Sequence, residues 1–466
     1  MRIDLAITNC KLVTPAGIID AGLGIKDGRI VALGPDSLFS DTAERVDAKG
    51  GHVLPGLVDT HVHFREPGFT EKEDFESGSR SAAAGGVTTV FDMPNTNPPT
   101  STLKAFEEKR ALAEGRSYVN FGLYGMILQG NHAEFKKMAD AGAIGFKIYM
   151  SHSWITRHIG GFADDGAKLR ALKMIAETGL RVAAHAECDE IIDCCREEIQ
   201  QDPKRKTIAD WNASRPAISE VHSIQRMLLF TRAAGNKLQI AHLNTAEGVA
   251  LIRQAKQSGL DVTAEILHHA LLFPPASPHE GVTDLTSMLL KLTPPIRLEA
   301  ENRDKLWEAV RDGTIDLIAT DHAPISRSIK EFLAEIGDDV WRPHMGGLAT
   351  VQIGLSLLLT QVNEGRLSLN DVARLTSEKP ARAFGIFPRK GCIQVGADAD
   401  LVIVDLTRKG VVRTESLYSK YRVNPYEGWK LHGMPTCTVV GGQVVARDSQ
   451  IVGNPRGRLV SPVTAS

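Results

Sequence analysis

Residues 50–68 read GGHVLPGLVDTHVHFREPG, and the fold turns on how the middle of that run is taken. GLVDTHVHF looks like a buried strand: it is apolar at its start and rich in β-branched residues. On a strand, residues two apart share a side. His61 and His63 then face one way and Val62 faces the other. Two imidazoles on one face, with Asp59 and Arg65 nearby, can grip a metal ion. A pair of surface histidines at a strand end is the plainer alternative, and the rest of the chain decides between them.

Outward from this strand the pattern recurs. VTTVFDMP, YVNFGLYGMI, AIGFKIYM, LRVAAHAE, KLQIAHLN, LDVTAEIL and IDLIATDHAP are short, apolar and rich in β-branched residues. Between most of them lie amphipathic helical segments such as HAEFKKMADAG and TAEGVALIRQAKQSG. Such alternation predicts a parallel α/β sheet. With GLVDTHVHF the strands number eight, which suits a (β/α)8 TIM-like barrel. A doubly wound sheet is the other arrangement, but no GxGxxG turn follows a strand to mark a dinucleotide site. The segment 151–166, SHSWITRHIGGFADDG, is irregular and follows a strand directly. It is expected to form either a loop over a site or an ordinary connection.

Both ends of the chain are strand-rich with glycine and aspartate punctuation. KDGRI is a hairpin signal near the start, and ADADLVIVDL and PTCTVVGGQVVARDSQIVG stand near the end. The simplest arrangement pairs the two ends into one small β-sandwich domain. The expected division is residues 1–54 and 391–466 for the sandwich and 55–390 for the barrel.

Composition narrows the partners. The formal net charge is −2 and no basic stripe is visible, which argues against nucleic acid and anionic membranes. No apolar run approaches a membrane span, and the N-terminus MRIDLAITNCKLV is not a signal peptide. The six cysteines form no CxxC pair, so a reducing cytoplasm is expected. Cys188 lies close behind a histidine, but a buried thiol is its expected state.

In such a barrel, chemistry gathers where strands end. There the chain carries His61 and His63, then Lys147, His185, His242 and Asp321. Each alone has an ordinary explanation, such as a bonded core histidine, a snorkelling lysine or a helix cap. Their coincidence at the ends of different strands does not. Burial can lower a lysine pKa by up to about 3–5 units. A neutral amine can take up carbon dioxide to give a carbamate, an anion able to bridge two cations. Four imidazoles and two carboxylate-like groups suit divalent zinc, or manganese or iron. His268, His269 and His322 are surplus to this set and are expected to be structural or supporting groups.

The chain resembles the cyclic amidohydrolases: dihydroorotase, allantoinase and hydantoinase. DTHVHFREPG is similar to the first dihydroorotase signature, and AAAGGVTTVFDMPNTNP to the segment after it. GFKIYM resembles the segment carrying a carboxylated lysine. KLTPPIR, ATDHAP, PARAFGI and GADADLVIVDL resemble later landmarks, so the likeness spans nearly the whole chain. It implies that His61 and His63 hold one divalent metal, with zinc the expected ion, that His185 and His242 hold a second, and that a carbamate on Lys147 bridges both. It implies that Asp321 completes the first site and moves the proton. A small cyclic amide or ureide would be the substrate, and a homo-oligomer, dimer or tetramer, the assembly.

The motifs disagree about the ring. Arg65 in HFREPG and Asn95 in MPNT match the dihydroorotase positions that bind the substrate carboxylate, and an arginine fork suits that task. Yet Ile325 stands where dihydroorotases usually have histidine, and Thr293 where they usually have asparagine. ASRPAISEVHSIQRML is similar to allantoinases and hydantoinases. Dihydroorotate is the leading expectation, with allantoin or a substituted hydantoin close behind. Non-catalytic proteins share this likeness, but they typically lack ligands that are all present here.

Overall fold

Both chain ends build one pair of sheets. The chain, as a computed structural model, is described at residues 2–151, 162, 164–273, 288–297, 299–325, 334, 337, 339–342 and 346–463. Strands β1 (Ile3–Thr8), β2 (Lys11–Thr14), β3 (Gly17–Asp20), β4 (Gly22–Lys26), β5 (Arg29–Gly34), β6 (Thr42–Asp47) and β7 (His52–Pro55) come first. The expected KDGRI hairpin joins β4 to β5. Lys26 pairs with Arg29, while Asp27 and Gly28 take φ of 49° and 74°. Such two-residue turns match the twist of the strands they connect.

The barrel follows. Its strands are β8 (Leu57–Val62), β9 (Val87–Asp92), β10 (Asn120–Met126), β11 (Gly145–Tyr149), β12 (Arg181–His185), β13 (Lys237–Ile240), β14 (Val262–Leu267) and β15 (Leu317–Ala319). They form one eight-stranded sheet in chain order, with every neighbouring pair parallel. Closure falls between β15 and β8. The His63 N–H donates to the carbonyl of His322 at 2.7 Å. The Asp59 carboxylate accepts from the backbone and hydroxyl of Thr320 at 3.2 and 2.5 Å. The segments read from the sequence as strands are the barrel strands, and HAEFKKMADAG and TAEGVALIRQAKQSG supply helices His132–Asp140 and Ala246–Gln257. The segment 151–166 lies almost wholly outside the described residues.

The chain ends with β16 (Leu401–Val411), β17 (Lys430–Val440), β18 (Gln443–Arg447) and β19 (Gln450–Ile451). β16 pairs antiparallel with β7, Leu401 opposite Pro55, and so ties the two ends together. The result is a seven-stranded sheet facing a four-stranded one. Leu5, Ile7, Leu23, Ile25 and Val46 from the smaller sheet meet Val53, Leu401, Ile403 and Val439 from the larger in a buried layer. Alternating inward residues from two sheets are what make a sandwich core. Among the described residues no helix is long and apolar enough to cross a membrane.

Gly56 is the joint between the two units. It alone separates β7 from β8, and its N–H donates to Asp400 at 2.8 Å. A Cβ there would lie 2.2 Å from Thr88 Oγ1 and 2.5 Å from its Cγ2. The joint lies at the start of β8, so the opposite strand ends are left clear for a site. Gly56→Ala is expected to destabilise the protein by about 1–3 kcal/mol, the cost of overpacking. Thermal unfolding checks this, and Thr88→Ala in the same chain should recover part of the loss because the two positions touch.

Candidate metal centre

The strand-end residues face one cavity of 610 Å³. His61 lies in β8 and His63 just beyond it; their rings are 5.3 Å apart, and Val62 between them is buried on the other side. Lys147 lies in β11, His185 ends β12, and His242 and Asp321 each stand two residues beyond their strands. Arg65 and Asn95 line the same cavity, as do Thr293 and Ile325. Three of these residues hold a backbone that side-chain-bearing residues rarely adopt: φ is 63° at Arg65, 39° at His242 and 46° at Asp321. Such conformations cost on the order of 1–3 kcal/mol each and collect at functional sites. No turn or cap signal in the sequence announced them.

Hydrogen bonds assign the imidazole protons. His61 Nδ1 lies 2.7 Å from Glu265 Oε1, and His63 Nδ1 lies 2.6 Å from Asn95 Oδ1. Both partners are acceptors, so both Nδ1 atoms carry the proton. Burial pushes His63 down to about 3, which keeps its ring neutral near pH 7. The His63 Nε2 therefore presents a lone pair. The Nε2 atoms of His61 and His63 lie 3.3 and 3.0 Å from Asp321 Oδ1, and that oxygen has no hydrogen-bond partner among the described residues. His61, His63 and Asp321 thus converge their donor atoms on one point. A shared cation makes that arrangement favourable, and the donor types suit a divalent transition metal.

The second pair repeats the device. His185 Nε2 donates to Glu187 at 2.9 Å, which leaves Nδ1 facing His242 Nε2 at 3.0 Å. Burial holds His242 well below the ordinary histidine range. Burial also lowers the Lys147 amine to about 8, against the opposing pull of Glu265 and Asp321. A share of it is then neutral near pH 7, as carbamate formation requires.

Several sequence expectations are refined here. Asp59 does not join the imidazoles; its carboxylate closes the barrel through Thr320, and burial raises it to about 7. Asn95 spends its carbonyl oxygen on His63, which gives it an orienting task beside the expected substrate contact. Arg65 donates Nε–H to the Pro324 carbonyl at 2.9 Å, and no carboxylate of the described residues lies within ion-pair distance. Glu66 pairs instead with Arg116, and Glu73 with Ser77, Ser419 and His322. His322 is therefore a supporting group. Cys188 is buried, and burial raises its thiol. Glu265 and Glu187 are the functional residues that sequence reasoning missed. Their one signal was an acid inside or beside an apolar run, in VTAEIL and VAAHAE.

Protein purified without chelator is expected to hold divalent metal, counted by elemental analysis. Stripping it should lower the melting temperature, because a ligand bound only to the folded state stabilises that state. Added zinc or manganese should restore it. A melting temperature unmoved by stripping and reloading would mean that the three donors hold nothing.

Comparison with known proteins gives the family. The amidohydrolase family model matches residues 52–445. An L-hydantoinase of Paenarthrobacter aurescens is 37% identical over 457 residues, 96% of each chain. An allantoinase of Deinococcus radiodurans is 37% identical over 464 residues, 99% of each chain. A dihydroorotase of Methanothermobacter thermautotrophicus also matches, at 34% over 460 residues. The solved L-hydantoinase (dihydropyrimidinase) of Arthrobacter aurescens superimposes with a TM-score of 0.91 at 36% identity, covering 98% of this chain and 100% of that one. With the family model spanning most of its length, the chain belongs to the amidohydrolase family, as an enzyme of cyclic amide hydrolysis.

Proposed function

We propose that this protein opens the ring of a small cyclic ureide, allantoin or a 5-substituted hydantoin, at a two-metal centre. The observation that carries the choice of ring is the pair Ile325 and Thr293 in the cavity wall. Ile325 is buried and apolar, so its own position offers no polar donor to an anionic ring. The hydantoinase and allantoinase names of relatives that match over nearly the whole chain support the same choice. The dihydroorotate reading that led in the motifs is thus no longer the favoured one. It keeps one supporting observation, the Arg65 guanidinium without a carboxylate partner among the described residues.

His61, His63 and Asp321 would hold one divalent ion, and His185 and His242 the other. A carbamate on Lys147, formed from its neutral amine and carbon dioxide with loss of one proton, would lie between them. Zinc fits these donors. Bound there, the ions would supply the charge that acidifies water and polarises the scissile carbonyl. The chain's own residues do the rest. Glu265 and Asn95 keep the His61 and His63 lone pairs turned inward. Asp321 takes the proton of the attacking water and delivers it to the ring nitrogen as the C–N bond breaks. The products are a carboxylate and a free N–H.

Lys147→Arg should lose both metal and activity, since arginine stays charged and forms no stable carbamate. Asp321→Asn keeps the shape and loses the basicity, and its turnover should fall by at least about 100-fold. Metal counting alongside steady-state rates checks both. A fully metallated, active Lys147→Arg protein would reduce the lysine to a structural role.

The substrate is settled by rates on allantoin, 5-substituted hydantoins, dihydrouracil and dihydroorotate. The ureides are expected to be the faster substrates. Arg65→Met then separates the two readings. If dihydroorotate is bound through its carboxylate, this variant should lose about 3–5 kcal/mol of binding to it, the cost of leaving a buried charge unpaired. Uncharged rings would be much less affected. Dihydroorotate turned over faster than every ureide would overturn the proposal.

A further inference from the structure

We infer that Glu187 is a positioning residue for His185, held in place by a hydrogen-bonded set of buried and half-buried groups that also reaches the His242 segment. The inference rests on the two-metal reading above. Glu187 is 0% exposed, and one of its oxygens, Oε2, accepts from His185 Nε2 and from Arg215 Nη1, each at 2.9 Å. An ionised carboxylate only accepts, so the His185 proton must sit on Nε2. Nδ1 is then the donor atom, and it is the atom turned toward His242. The chain continues from Arg215. Its carbonyl accepts from Arg297 Nη1 at 2.5 Å, and Arg297 pairs with Glu220 at 3.4 Å. Glu220 accepts the backbone N–H of Asn244 at 2.7 Å, two residues beyond His242. One connected set thus holds the His185 ring at one end and the backbone just beyond His242 at the other.

Stability does not account for this set. Buried ion pairs are often no better than apolar residues of similar volume. Here the pairing is incomplete as well: Glu187 Oε1, Arg215 Nε, Arg297 Nε and Asn244 Oδ1 are buried with no hydrogen-bond partner among the described residues. Such unsatisfied groups call for an explanation. A fixed ring orientation is one. His61 receives its orientation from Glu265 and His63 from Asn95, and without Glu187 the His185 ring would have none of this kind. Glutamine at 187 could offer either an acceptor or a donor, so it would no longer force the proton onto Nε2.

The test uses metal-loaded wild-type, Glu187→Gln and Arg215→Lys proteins. Each is equilibrated against graded chelator, and the zinc retained per chain is counted. Circular dichroism and melting of the loaded proteins report the fold. Wild type should release two zinc ions. Glu187→Gln should keep one with wild-type affinity and hold the other about 10–100-fold more weakly, the usual effect of losing a group that orients a ligand. Its turnover should fall with little change in KM. Arg215→Lys should weaken the same ion to a smaller degree. Glu187→Gln that holds both ions as wild type does would overturn the inference. So would equal weakening of both ions together with a lowered melting temperature, which marks a general structural role. If Glu187→Gln does not fold, Arg215→Lys decides alone, and unchanged retention of both ions overturns the inference. Wild type that retains no zinc overturns the two-metal reading itself.

Discussion

A single buried carboxylate holds the centre of this barrel. Glu265, fully enclosed in β14, accepts four hydrogen bonds from two other strand regions. Thr60 and His61 reach it from β8, Gln239 reaches it from β13, and the backbone of His242 reaches it from just beyond β13. Burying a carboxylate at this depth is costly unless it is hydrogen-bonded, and here both oxygens accept hydrogen bonds. The consequences run in two directions. The His61 proton is fixed on Nδ1, which turns its Nε2 lone pair toward Asp321. The His242 backbone is held at its left-handed φ, which sets the ring beside His185. One acid thus orients a residue of each proposed metal position, and the geometry of the cavity floor follows from it.

The fold was legible because two independent signals agreed. Short apolar, β-branched runs alternated with amphipathic helices, and punctuated strands marked both ends of the chain. Parallel strands buried on both faces must be continuously apolar, so an ionisable residue at their ends stands out. That contrast is why His61, His63, Lys147, His185, His242 and Asp321 could be read without coordinates. Glu265 could not, for a physical reason. A strand acid that orients a neighbour looks the same in sequence as one that faces water. What distinguishes it is the Nδ1 atom 2.7 Å away, contributed by a residue about two hundred positions earlier. The Asp59 reading failed in the same way. Proximity in sequence placed it beside the imidazoles, but its carboxylate is taken up by the backbone and hydroxyl of Thr320 from the far end of the chain's barrel segment. Arg65 has no carboxylate partner among the described residues, and Glu66 and Glu73 have partners elsewhere.

The proposed metal ligands and the two positions that bear on the choice of ring occupy different parts of the cavity. The proposed ligands sit in strands or within two residues of them, on backbone that the barrel's hydrogen bonds hold. Thr293 and Ile325 sit on connections beyond the strands, where substitution disturbs no ladder. Loops can therefore change the accepted ring while the strand ends keep the hydrolytic chemistry. This is the physical reason that the early motifs and the later positions point to different substrates. HxH, Lys147 and Asp321 report the reaction, and they are silent about the ring.

Arg65 is where the two parts meet, and its charge is compatible with a neutral ring. It follows the imidazole pair by two residues, is 4% exposed, and hydrogen-bonds a carbonyl next to Ile325. A buried cation with no carboxylate partner among the described residues is suited to negative charge that arrives during the working cycle. A substrate carboxylate would supply it before the reaction. Hydrolysis of any ring amide supplies it during the reaction, because attack on the carbonyl develops negative charge on oxygen and ends in a carboxylate. Groups aimed at charge that develops only as the reaction proceeds contribute more to rate than to substrate affinity. An arginine at this position therefore does not by itself select dihydroorotate. The selection rests with the residues that touch the ring before it opens, and there the wall presents Ile325 and Thr293.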